Sequence, residues 1–150
     1  MGHPIPELEG RIRWTEATED VGRLSLPLAL DRASLGRVWF DPGSSLVGVL
    51  LTGAAWRNVT ARRGDEPGLE RRVFPLAADS LVLIGARPRA GLALGAIPIE
   101  ETVFMVTHGP AEADPERVGG GIVGVIGSQL FARDRLIYVN TRAKRFGVLR

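Results

Sequence analysis

The sequence has no cysteine, and Lys144 is its sole lysine. Without cysteine there is no disulfide, and no thiolate to serve as nucleophile or metal ligand. The two histidines, His3 and His108, are far apart and neither belongs to a ligand-spaced cluster. No metal and no cofactor are therefore expected. Gly119-Gly120-Gly121 is not followed by the Lys-Ser/Thr of a phosphate loop. It reads instead as a stretch that lets the backbone take a tight course. No apolar run approaches the roughly 18 residues of a membrane span. The first residues lack the charged-then-apolar pattern of a signal peptide. The expectation is a soluble chain whose compartment is open. Net charge is +2 and the arginines are scattered, which argues against a nucleic-acid footprint, since that requires a concentrated basic face.

The chain has enough length and apolar content for one domain with a core: 150 residues, 45% hydrophobic. Residues 1–10 are rich in proline and glycine and read as a tail or linker, leaving 11–150 as a single domain. Arg11–Trp14 alternates and can add a strand, whereas the acidic stretch Glu16–Asp20 reads as a turn. Leu24–Leu30 alternates with period two, the mark of a half-buried strand. Pro27 has no N–H to give, so that strand is expected to be edge-like or bulged there. Asp31–Gly36 reads as a loop or hairpin turn before the strand Arg37–Phe40. Leu46–Leu51 is apolar on both parities and reads as a strand buried on both faces. Thr52–Val59 is expected to form a short helix or turn carrying Trp56. Val73–Leu76, Ser80–Ile84, Leu92–Leu94, Thr102–Val106, Ile122–Ile126, Leu136–Val139 and Arg145–Leu149 are further strand candidates, punctuated by glycine and proline. Thr107–Arg117 is expected as a loop. Many short strands with little helical periodicity predict an all-β sandwich or barrel.

Chemistry concentrates at Arg37-Val38-Trp39-Phe40-Asp41-Pro42-Gly43-Ser44-Ser45. An apolar strand delivers a carboxylate to a fixed place and a Pro-Gly turn ends it at once. Taken alone, Asp41-Pro42-Gly43 is ordinary turn chemistry, an aspartate bonded to its own backbone. A second stretch, Gly124-Val125-Ile126-Gly127-Ser128-Gln129-Leu130-Phe131, lies well downstream. Its local reading is a buried strand followed by a turn.

Together the two stretches resemble the retropepsin-like aspartic peptidases. That family has a strand ending in Asp-Thr-Gly-(Ala/Ser) and, later, two apolar residues and a glycine leading into a short helix. Asp41-Pro42-Gly43-Ser44 matches the first motif with one departure, and Val125-Ile126-Gly127 matches the second. The resemblance implies an all-β, closed-barrel-like acid-protease fold with one short C-terminal helix, capped by Ser128, and a closing hairpin. It implies Asp41 as the catalytic acid, with Gly43 letting the backbone turn near substrate. Ser44 would hydrogen-bond the aspartate loop, and Val125, Ile126 and Gly127 would pack behind it. A flap hairpin is expected around residues 62–70.

An acid peptidase needs two carboxylates on one water, and this chain offers one acid at such a turn. Asp20-Val21-Gly22 has no clear apolar strand leading into it. The second carboxylate would then come from a twin subunit, Asp41 meeting Asp41 across a twofold axis, or from a second peptidase-like lobe outside this chain. The substrate implied is a peptide or protein. Pro42 stands where the family carries threonine or serine, and it supplies neither hydroxyl nor N–H. A silent peptidase-like module that binds a peptide or partner is the competing expectation. Ser128 likewise stands where viral members often have an arginine.

Overall fold

The computed structural model describes residues 9–20, 22–133 and 136–149. Most of the expected tail, including His3, lies outside the described residues. The chain opens with β1 (Ile12–Glu16) and β2 (Thr18–Asp20). The stretch expected as a turn is thus partly strand: β2 pairs antiparallel with β3 (Arg23–Leu30), and Thr18 Oγ1 meets Ser25 Oγ at 2.8 Å. Its polar residues are tolerated because it is a short strand that pairs on one side, off the main path of the sheet.

β3 turns into β4 (Ala33–Asp41) through Asp31 and Arg32, both at positive φ. That is the twist a two-residue hairpin needs, so β4 begins earlier than the apolar run predicts. Pro27 sits opposite Arg37 of β4. On the other side of β3, the β2 pairing ends at Ser25 and the β8 (Leu92–Leu94) pairing begins at Leu28. The residue without an N–H falls in that gap, and a register shift follows between Leu28 and Ala29.

Only Val49–Leu51 (β5) of the apolar run 46–51 is strand. Leu46 is exposed and belongs to the loop before it. Helix α1 (Gly53–Thr60) follows, its first turn capped by Thr52 Oγ1, which accepts the Ala55 N–H at 3.3 Å. Trp56 is wholly buried, and its Nε1–H donates to the Val103 carbonyl at 2.9 Å. Trp56→Phe keeps most of the ring but leaves that carbonyl without this donor. The expected loss is about 1–3 kcal/mol of stability, read as a lower urea midpoint at unchanged slope. An unshifted midpoint would mean the bond contributes nothing net.

β6 (Glu70–Pro75) and β7 (Ser80–Ala86) form a hairpin; β8 and β9 (Ile97–Ile99) form another. β9 was not expected because of Pro98. It is tolerated because β9 is the last strand of its sheet, where one side of the ladder has no partner among the described residues. β10 (Val103–His108), β11 (Ile122–Gly127), β12 (Leu136–Asn140) and β13 (Arg145–Leu149) complete the set. The segment between β10 and β11, expected as loop, holds two 3-10 turns at Ala111–Ala113 and Pro115–Arg117. Gly119, Gly120 and Gly121 all take positive φ before β11, the tight course expected of them.

One ten-stranded sheet runs β6-β7-β10-β5-β11-β4-β3-β8-β9 with β2 added on β3, and β1-β13-β12 form a second sheet. Phe40, Phe131 and Phe146 lock the two together, with centroids 5.2–6.1 Å apart. These rings come from β4, from the turn after β11 and from β13. The residue preceding Asp41 is therefore anchored in the core from two directions.

Candidate active site

The two motifs that lie more than eighty residues apart in the chain are adjacent strands in the fold. β4 and β11 run parallel, pairing Trp39 with Val125, Phe40 with Ile126 and Asp41 with Gly127. β5 then pairs antiparallel on the other side of β11. The loop 42–48 must therefore cross over the end of β11 to pass from β4 to β5. That crossing explains the glycine: a Cβ on Gly127 would collide with the carbonyl oxygen of Ser44 and lie 2.9 Å from that of Val47. The seam is closed by backbone bonds. Gly127 N–H donates to the Gly48 carbonyl at 2.9 Å and Ser128 N–H to the Ser44 carbonyl at 3.1 Å.

Asp41 is exposed at the end of β4, on the same strand face as Trp39 and opposite to the buried Val38. Gly43 N–H donates to Asp41 Oδ1 at 3.0 Å and Ser44 N–H to the Asp41 carbonyl at 3.1 Å. Among the described residues, the hydrogen bond that reaches the carboxylate thus comes from the Gly43 backbone, while Ser44 contributes backbone groups. Gly43 itself is not in the left-handed region, and a Cβ there would meet only Asp41 Oδ1, at 3.3 Å.

Ser128 does not cap the helix expected after β11. The turn Ser128–Phe131 is 3-10, Gly127 occupies its cap position, and the Ser128 hydroxyl reaches the Ser44 carbonyl at 3.4 Å. Ser128 thus serves the aspartate loop rather than the turn it opens. The chain's described α-helix is instead α1.

Asp41 opens onto a cleft of about 690 Å³ lined by Trp39, Pro42, Ser44, Leu46, Val125 and Val139. Arg23 stacks its guanidinium 4.4 Å above the Trp39 ring at one side. The 3-10 segment supplies another wall, Glu112 to Pro115. Its Asp-Pro start was a readable signal: Asp114 accepts the Glu116 N–H at 2.9 Å and Pro115 occupies the first turn position.

Residues 62–70 do not form the hairpin expected there. Residues 61–69 form a loop gathered around Glu66, whose carboxylate oxygens each accept the Arg63 N–H at 3.1 Å. The hairpin that borders the cleft is β6–β7, with its tip at residues 76–79 and Leu81 in the cleft lining. The flap was expected at 62–70 from the family's order of elements, whereas the charge of that stretch suits the solvated loop found there.

His108 Nε2 lies 2.9 Å from Asp79 Oδ1 at the base of that tip. The His108 ring, and then the Ser80 N–H, hold the Asp79 carboxyl below the usual carboxylate range. A carboxylate whose folded pKa is lowered stabilises above its unfolded pKa of about 4 and loses that contribution as pH falls through the folded value. Asp79→Asn should therefore flatten the corresponding part of the acid-denaturation curve. A carboxyl-carbon NMR titration placing Asp79 at or above the ordinary value would rule this out.

No protein-family model and no curated protein matches the sequence. Among solved structures, the crystal structure of a retropepsin-like aspartic protease from Rickettsia conorii is similar, with a TM-score of 0.54. The match covers 91% of this chain and 90% of that one at 11% sequence identity. The fold is retropepsin-like. Among the described residues no group of three or more histidine and carboxylate side chains could hold a metal ion, and no helix is long and apolar enough to cross a membrane.

Proposed function

We infer that the chain is an aspartic endopeptidase whose catalytic pair is Asp41 from each of two copies. The observation that carries this reading is Asp41 itself: an exposed carboxylate, paired beside Gly127, in the lining of a cleft large enough for peptide side chains. Two such carboxylates about 3 Å apart would share one proton, since both cannot ionise at low cost. One would take a proton from the attacking water. The protonated one would donate to the substrate carbonyl oxygen, where negative charge develops. The apparent pKa values would belong to the pair.

Pro42 favours a second reading, a peptidase-like module that binds peptides without cutting them. At this position the loop has neither a hydroxyl nor an N–H with which to brace one aspartate loop against its twin.

Cleavage of a mixed peptide library between pH 3 and 7 by the natural protein, Asp41→Asn and Pro42→Thr tests both readings, with sedimentation measuring the dimer. Cleavage by the natural protein that disappears in Asp41→Asn supports the peptidase. Cleavage only after Pro42→Thr supports the silent module. Cleavage that survives Asp41→Asn would sink the assignment of Asp41.

A further inference from the structure

The aspartate loop offers three alternate carbonyls, those of Ser44, Leu46 and Gly48. Ser128 and Gly127, at the end of β11, satisfy the first and third. The second is satisfied from elsewhere: Arg72 of β6 donates from Nη1 to the Leu46 carbonyl at 3.2 Å. We propose that Arg72 is a positioning residue for the Asp41 loop, coupling the β6–β7 hairpin to the segment that holds the carboxylate. This proposal rests on the peptidase reading for its catalytic consequence, but not for the coupling itself.

The guanidinium is built into place on three sides. Its Nε and Nη2 each lie 2.8 Å from Glu70 Oε1, which also neutralises its charge. Glu70 and Arg72 are two apart on one strand, so both project from the same face. The guanidinium carbon sits 4.6 Å from the centroid of the Phe104 ring, and Phe104 is buried. With two nitrogens held by Glu70 and its face on Phe104, the remaining nitrogen is aimed at Leu46 in a fixed direction. A planar fork can satisfy these partners at once; an ammonium group cannot reproduce the stacking or the fork. Phe104 stands opposite Leu50 of β5 and Gly85 of β7. The strand that follows the aspartate loop and the second arm of the hairpin thus share the residue on which Arg72 rests. Leu46 is exposed, so its own side chain does not fix its carbonyl, although the adjacent Val47 is buried in the cluster with Phe104. A hairpin that shifts on binding a peptide would pull on Leu46 and so on the seam at Gly127.

The test is backbone amide exchange at Ser44, Gly127 and Ser128, whose N–H groups close the loop, in Arg72→Met and Arg72→Lys. These variants are measured in both the natural and the Asp41→Asn backgrounds, so the readout does not depend on hydrolysis. Arg72→Met is expected to speed exchange at these three amides about tenfold, the effect of removing one charged hydrogen bond. The β3–β4 amides should stay unchanged, and lysine should recover less than half of the loss. Where the natural protein cleaves peptides, kcat should fall with KM nearly constant, because the loop places the carboxylate rather than gripping the substrate. Unchanged exchange at the three amides would overturn the proposal, as would equal acceleration across the whole sheet, which signals general destabilisation. If Arg72→Met fails to fold, Glu70→Gln gives the same readout: faster exchange confined to the loop supports the coupling, and no change refutes it. Absence of peptide cleavage by the natural protein would count against the peptidase reading and leave the exchange result standing.

Discussion

Asp41→Asn is expected to lower peptide hydrolysis by about 10²–10⁴-fold or more with no measurable loss of stability. The two parts of this result come from different features of the site. Asp41 is exposed, and its side chain accepts one hydrogen bond, from Gly43 N–H at 3.0 Å. An asparagine carbonyl oxygen can accept that bond in the same place, so the loop should keep its shape. What the amide cannot do is take up or give a proton near neutral or acid pH. If the proposed pair forms across two copies, the variant replaces both members and leaves no carboxylate to activate the water or to protonate the substrate carbonyl. The measurement is kcat/KM on the best library peptide alongside a thermal melt. A variant that melts as the natural protein does and retains its rate would remove Asp41 from the chemistry. A variant that melts much lower would instead give Asp41 a structural role its exposed position does not suggest.

Gly127→Ala is expected to cost about 2–3 kcal/mol and to open the aspartate loop, whereas Gly43→Ala should fall within about 0.5 kcal/mol of the natural protein. The contrast is informative because both glycines belong to the motifs. Gly127 lies under the chain that crosses from β4 to β5, and its added carbon would press on two backbone carbonyl oxygens. Neither can swing away as a side-chain tip could, because the Ser44 carbonyl is held by Ser128 and the neighbouring Gly48 carbonyl by Gly127 itself. Relief requires the crossing loop to lift. Gly43 sits on top of that loop, exposed and at an ordinary backbone angle, with Asp41 Oδ1 as the neighbour of an added carbon. Urea unfolding of both variants checks the stabilities. Equal stabilities for the two would mean that the loop does not bear on β11.

Several elements were legible from local pattern. The alternation in 24–30 marked β3, the Asp-Pro-Gly turn marked the end of β4, and of the short helix or turn expected at 52–59 the structure has the helix, α1. Other elements were misread for identifiable reasons. β2 is acidic, yet its pairing needs no apolar face at the sheet margin. β9 contains a proline that is acceptable because the strand is terminal in its sheet. Leu46 and Val47 look like strand, but Leu46 is spent on the crossing loop, and hydropathy does not record which apolar residues a fold leaves at a cleft. A flap was expected at 62–70 because the resembled family has one at that point in the order of elements, but the charged stretch there is a loop.

By itself the sequence determined which residues could carry chemistry. The absence of cysteine and of clustered histidines set thiolate and metal chemistry aside, while Asp41, an ordinary turn residue on local pattern, and Val125-Ile126-Gly127 behind it were singled out by their joint resemblance to the retropepsin-like peptidases. Periodicity and turn residues act over a few positions, so the all-β character was also within its reach. Only the tertiary structure decided that these two segments are parallel neighbours, that the loop 42–48 crosses Gly127, and that Arg72 reaches Leu46. Parallel pairing leaves no local signature, because the strands are joined through a long connection and their register is set by the packing of the whole sheet. A fold held in this way depends on apolar pattern and on a few sterically forced glycines rather than on residue identity. That is how a similarity of 11% in sequence can extend over 91% of the chain in structure.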